Sequence, residues 1–192
     1  MRLWLNKLLP VIFLSALVLT LASPLHSSTD PELRQLLQQA INSDPGFEDR
    51  FDAEVWLVDM SKRLEKFVSD PATRIEMLKL VHYEATRVNL EPELVLALIE
   101  VESNFDEFAI SVSGARGLMQ IMPFWLQEIE LSNKNLFHIS TNLRMGCTIL
   151  RHYVDIEKAD LSKALARYNG SRGKAIYPNK VFKALNRHWF KQ

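Results

Sequence analysis

One cysteine, Cys147, is all this 192-residue chain has. A single thiol cannot close an internal disulfide, so the fold has to stand on its hydrophobic core. The five histidines, His26, His82, His138, His152 and His188, show no H-E-x-x-H or other tight metal spacing, so no metal and no cofactor is expected. There is no G-x-x-x-x-G-K-[ST] loop for phosphate, and Ser113-Gly114 lacks the preceding glycine of a G-x-S-x-G nucleophile elbow. An excess of one charge is missing too. The 23 Lys and Arg balance the 23 Asp and Glu, which argues against nucleic acid as a partner by bulk charge but leaves a local patch open. Internal repeats, low-complexity tracts and strand-like alternation are also absent. What is present is ordinary for a globular protein, 47% hydrophobic and 24% charged, and long enough for one domain with a substantial core.

The first 22 residues differ from the rest. Arg2 and Lys7 flank the start, Leu8 to Ala22 carries no charge, and Thr20-Leu21-Ala22 offers a small-residue cleavage site before Ser23. This is the layout of a secretory signal peptide, and the run is short for a span of about 20 apolar residues. The expectation is an exported protein of the periplasm, with an uncleaved anchor as the alternative. Losing Arg2 and Lys7 leaves 21 basic against 23 acidic residues, a net charge of −2. Cys147 is not placed for lipid attachment behind such a leader. It shares an apolar helical stripe with Leu143, Leu150 and Val154, which predicts a buried structural thiol.

The remaining chain reads as almost entirely helical. Asp30-Pro31 supplies a cap and a first-turn proline for a helix carrying Leu33, Leu36, Leu37, Ala40 and Ile41 inward. A second helix is predicted from about Asp49 to Val68. A third starts at Asp70-Pro71, and a fourth opens at Pro92 and ends near Glu102. Pro123 opens a short helix through Ile129, and Ser140 or Thr141 caps the helix bearing Cys147. Asp160 caps another that stops at Gly170, and Tyr177-Pro178 precedes the last, which turns Val181, Phe182, Leu185 and Trp189 inward. Residues 103–116 are the place for a small hairpin or an irregular loop. The fold class is therefore mainly α, with at most a small β-hairpin. Three segments are expected: a leader over 1–22, a helical extension over 23–79 and a main part over 80–192. No Gly/Ser-rich or Pro-rich linker separates the last two, so the extension is expected to pack on the main part.

The most informative segment runs from Glu102 to Met122. Glu102 ends a nearly all-apolar stretch, Leu94 to Val101, and a glycine-containing turn, Ser113 to Gly117, follows. A carboxyl group at a buried helix end tends to stay protonated above its solution pKa, as a general acid near neutral pH must. Glycosidic cleavage usually employs two carboxyl groups. Glu100 and Glu102, two apart on a helix, point about 200° away from each other and cannot share a cleft face. Asp106 and Glu107 fall in the loop, where solvation is the default. Glu102 alone combines the helix end with the glycine-containing loop. Met119 reads as core, and Trp125 is the best candidate for stacking on a sugar.

Three motifs, Glu102-Ser-Asn-Phe, Gly114-Ala-Arg-Gly-Leu-Met-Gln and Ala166-Arg-Tyr-Asn-Gly, resemble the transglycosylase SLT domain of bacterial lytic transglycosylases, the group related to goose-type lysozyme. The likeness covers roughly Leu80 to Val181 and implies a lysozyme-like helical domain acting on peptidoglycan glycan strands. It implies that Glu102 is the catalytic acid/base and that Ser111 approaches the sugar's acetamido region. Gln120 and Met122 would line the muramoyl subsite, Asn142 would brace the site, and Tyr168 and Asn169 would lie at the cleft. It also implies a substrate-assisted route in which one glutamate suffices and the product is a 1,6-anhydromuramoyl end. A hydrolytic muramidase and an inactive peptidoglycan-binding scaffold on the same fold are the alternatives. The chain departs from the family's pattern twice. Asp106-Glu107 stands where Asn-Pro is frequent, and Tyr168-Asn169-Gly170-Ser171-Arg172 stands where Tyr-Asn-Ala-Gly-Pro is.

Overall fold

A computed structural model describes residues 51–129 and 134–190; the leader and the helix expected after Asp30 lie outside them. Among the described residues there are seven α-helices and one π-helical turn, and no named strand. They are α1 (Phe51–Leu64), α2 (Pro71–Arg87), α3 (Pro92–Ser103), α4 (Phe124–Glu128), α5 (Ile139–Ile156), α6 (Leu161–Tyr168) and α7 (Ile176–Ala184), with the π-helical turn over Leu185–Trp189. The fold is mainly α, in agreement with the sequence reading. No helix of the described residues is long and apolar enough to cross a membrane.

The helix starts follow local chemistry. The Asp70 carboxylate accepts from the Thr73 backbone N–H at 2.7 Å and from its hydroxyl at 2.6 Å, with Pro71 in the first turn of α2. Asp160 caps α6 through the Lys163 N–H at 3.0 Å. Two expectations are corrected. α5 starts at Ile139 with His138 in the cap position and no side-chain cap, so Ser140 and Thr141 lie in its first turn. Tyr177-Pro178 lies inside the first turn of α7 instead of preceding it.

α3 is the central element. Eight consecutive residues, 92–99, are buried, as expected of a helix surrounded by protein on all sides. α2, α7 and the π-helical turn pack on it, α5 packs on α2 and α6, and α6 on α7. Each fully buried leucine or isoleucine here, such as Leu96, Leu98 and Ile99, is worth about 1.5–3 kcal/mol. Between α2 and α5 the core also holds charge: Glu84, with no exposure, bonds Arg144 at 2.7 Å and Arg87 at 2.8 Å. Cys147 is buried, and desolvation pushes its thiol up, the reverse of what a nucleophile needs. α1 packs on α2 and on the π-helical turn, where Arg63 donates to the His188 and Phe190 carbonyls, both at 3.1 Å.

Candidate active site

The end of α3 is shaped by two residues in left-handed backbone, Asn104 (φ 53°) and Phe105 (φ 66°). Phe105 is held there by aromatic packing, its ring 5.0 Å from Phe67 and 5.4 Å from Trp189. The Ser103 hydroxyl donates to the Leu118 carbonyl at 2.8 Å, tying the helix end to the loop that returns. The loop makes only isolated antiparallel bridges, Ile110 with Arg116 and Arg116 with Ile121, so residues 103–116 form the irregular-loop alternative.

Glu102, in the last turn of α3, is half-buried. Its Oε1 accepts a 2.5 Å hydrogen bond from the hydroxyl of Tyr177, a buried residue of α7. Desolvation raises the Glu102 pKa above the ordinary carboxylate value, and the Tyr177 hydrogen bond opposes that rise only in part. The Tyr177 hydroxyl is in turn pushed up, first by burial and then by the Glu102 charge, so it remains a donor. Glu100 faces elsewhere. Its carboxylate meets His188 Nδ1 at 2.9 Å and accepts from Trp189 Nε1 at 2.8 Å. The two glutamates thus part company as their spacing predicts.

Glu102 opens onto a cleft of about 370 Å³ lined also by Asn169, Ser171, Lys174, Tyr177 and Lys180. Tyr168 approaches from α6. Burial and then the Glu102 charge raise its pKa, and its hydroxyl donates to the Met119 carbonyl at 2.8 Å. Of the expected site residues, Glu102 and Asn169 share the cleft, with Tyr168 beside it.

The others spend their polar atoms on the loop. Asn142 is buried, accepts from the Met119 N–H at 2.8 Å, and donates to the carbonyls of Arg116 at 2.9 Å and Leu136 at 2.8 Å. Its polar atoms therefore tie residues 116–119 to Leu136. Gln120, in left-handed backbone at φ 51°, donates from Nε2 to Gly117 O at 2.9 Å and Ala109 O at 3.2 Å. Ser111 Oγ accepts from the Ala115 N–H at 3.0 Å and pairs with Ser113 Oγ at 3.0 Å. Met122 is half-buried, and Met119 is fully core. Trp125 is half-buried against the core, its ring 4.9 Å from that of the exposed Phe124.

Two glycines permit this packing. Gly117 sits at φ 74°, and a Cβ there would lie 2.4 Å from Asn142 Nδ2 and 2.5 Å from Leu136 O. Gly146, inside α5, lets Met119 lie against the helix backbone; a Cβ would fall 2.3 Å from its sulfur.

The residue that sequence reasoning missed is Tyr177. A signal was available. Tyr177 and Val181 stand four apart on the inward face of α7, and a tyrosine on a buried face needs a partner for its hydroxyl. That the partner is Glu102, 75 positions away, was not deducible.

Comparison with known proteins points to one family. Residues 79–188 match the family model described as "Transglycosylase SLT domain". A "Transglycosylase" of Enterobacteria phage PRD1 is 31% identical over 109 residues, covering 53% of this chain and 40% of the relative. A "Membrane-bound lytic murein transglycosylase C" of Histophilus somni is 32% identical over 115 residues, 52% of this chain and 32% of the relative. A "Membrane-bound lytic murein transglycosylase F" of Desulfosudis oleivorans is 33% identical over 113 residues, 55% and 24%. The chain therefore spans less than half the length of each of these relatives.

Proposed function

Because the chain belongs to the transglycosylase SLT domain family, we propose that it is a peptidoglycan lytic transglycosylase cutting the β-1,4 bond between N-acetylmuramic acid and N-acetylglucosamine. The observation that carries this reading is Glu102 itself: a carboxyl at the end of a buried helix, raised in pKa, facing an open cleft and held by one phenol. A group so placed can deliver a proton to a leaving oxygen and, once ionised, recover one.

In the proposed reaction, protonated Glu102 gives its proton to the glycosidic oxygen as the bond from the anomeric carbon breaks. The 2-acetamido group of the muramoyl sugar stabilises the cationic centre. The sugar's own 6-hydroxyl then attacks the anomeric carbon, and its proton passes to the Glu102 carboxylate. One C–O bond breaks, one forms, no water is consumed, and the acid is restored. Tyr177 holds the carboxyl in one orientation and supports its ionised form midway through the cycle. We assign Ser111, Gln120, Met122, Tyr168 and Asn169 to the substrate side of the site, and Asn142 to bracing the loop that presents them. By the same reading, residues 1–22 direct export to the periplasm, residues 23–79 form an extension on the catalytic part, and residues 80–192 carry the reaction. Mass spectrometry of products from purified glycan strands tests this. Fragments ending in 1,6-anhydromuramic acid are expected. Products heavier by one water would make the protein a muramidase, and intact strands would make it a binding protein.

A further inference from the structure

The chain as a whole is neutral, yet cations gather where α6 leads into α7. A second concavity of about 410 Å³ lies there, lined by Glu157, Lys163, Arg172 and Lys174 among others. Lys174 also lines the Glu102 cleft, so the two concavities meet at that side chain. Lys180 adds another cation on the cleft side.

The carboxylate in this groove is already committed. Glu157 Oε1 takes Arg167 at 2.7 and 2.8 Å, while Arg172 stands 3.9 Å off with its side chain 68% exposed. Lys163 pairs with Asp160 at 2.9 Å. Lys174 and Lys180 are exposed, and no ion pair among the described residues holds either. The groove thus presents Lys174, and the adjoining cleft Lys180, without an ion-pair partner among the described residues, while Arg172 reaches only the outer edge of a Glu157 carboxylate already shared with Arg167. Exposed lysines on a convex face are usually a solvated surface. Here they rim a concave path that leads out of the site where a polymer is cut, and concave walls strengthen the attraction of counter-charge. Arg172 also marks this chain's own departure from the family's pattern, which has proline at that place in the motif.

We propose that this groove is a subsite for the acidic peptide stems borne by the glycan strand, with Arg172 and Lys174 receiving stem carboxylates while the strand lies across Glu102. The inference rests on the transglycosylase reading for its substrate. Its chemistry is charge-assisted hydrogen bonding to carboxylate, which Arg makes in bidentate form and Lys as a point charge.

The test compares glycan strands carrying peptide stems with the same strands after enzymatic stem removal. Binding is read on a Glu102→Gln background and cleavage on the active protein, each with and without Arg172→Gln/Lys174→Gln. The expected result is that the ratio of stem-bearing to stem-free binding, and of the corresponding kcat/KM values, falls about tenfold in the double variant. That drop should shrink as salt is raised. Equal losses on both strands, or no loss on either, overturn the proposal. An acidic tripeptide should compete with stem-bearing strands more strongly than inorganic phosphate at matched ionic strength; equal competition overturns the assignment to peptide carboxylates. If the active protein makes no anhydro product from either strand, the transglycosylase reading falls, and the binding ratio still decides the groove.

Discussion

Replacing Tyr177 by phenylalanine removes one oxygen and tests how the acid is tuned. The phenol donates to Glu102 Oε1 at 2.5 Å from a buried position. Hydrogen bonds to charged groups are worth about 1.5–3 kcal/mol. Part of that is kept when Glu102 is protonated, because the neutral carboxyl still accepts a weaker bond from the hydroxyl. About 1.4 kcal/mol of difference between the two protonation states corresponds to one pH unit. Tyr177→Phe should therefore move the alkaline limb of the cleavage profile upward by about one unit. The assay is the rate of anhydro-product release from soluble glycan strands between pH 4 and pH 9, for wild type and variant. Tyr168→Phe is the control, since that hydroxyl donates to a backbone carbonyl and not to the acid. A Tyr177→Phe limb that stays in place or moves down, in a protein that still melts cooperatively, would refute the reasoning.

The remaining expectations concern the acid and its brace. Glu102→Gln should lower turnover by at least about 10²–10⁴-fold while strands still bind, as a glycan pull-down would report. The raised Glu102 pKa means that ionisation costs the fold nothing below the ordinary carboxylate range and its full amount above the folded-state value. Thermal melts should thus show Glu102→Gln as stable as wild type or more so at pH 8, with the advantage gone at pH 4; a variant that melts clearly lower at pH 8 would contradict the desolvated acid. Asn142→Ala leaves the Met119 N–H and the Leu136 carbonyl without a side-chain partner, while the Arg116 carbonyl keeps the Ile121 N–H, at a cost of about 2–4 kcal/mol in urea unfolding.

What was legible in the sequence was local. Asp70 and Asp160 punctuate helices through side-chain bonds to the N–H three residues on, and Pro92 through its fixed φ in the first turn, so their positions announce the starts of α2, α3 and α6. Glu102 was legible because its burial is written in its own helix, as eight consecutive buried residues precede it by two positions. The start of α5 was not, because polar residues near a helix start compete for several uses. Thr141 is buried there, and Asn142 is drawn to the loop carbonyls of Arg116 and Leu136. The end of the second predicted helix came early for a similar reason: α1 stops at Leu64, and Phe67 turns to stack on Trp189 from the far end of the chain. Tyr177 belongs to the same class, since its role depends on a partner 75 positions away. Gln120 and Ser111 stood out by family likeness. Their atoms, as placed here, first hold the loop together, which a motif alone does not reveal.

The separation between Glu102 and Tyr177 has a consequence for when the protein becomes chemically competent. In an unfolded chain Glu102 is an ordinary solvated carboxylate, already ionised at neutral pH and unable to donate. Its proton affinity rises only after α3 is enclosed, and its orienting phenol arrives only with α7. Closing so long a loop carries an entropic cost that only the assembled core offsets. On the proposed function the unfolded polypeptide would be inert toward glycan, and activity would return on refolding no earlier than the docking of residues 176–189 against α3. Under the proposed export, inactivity during transit would need no separate inhibitor.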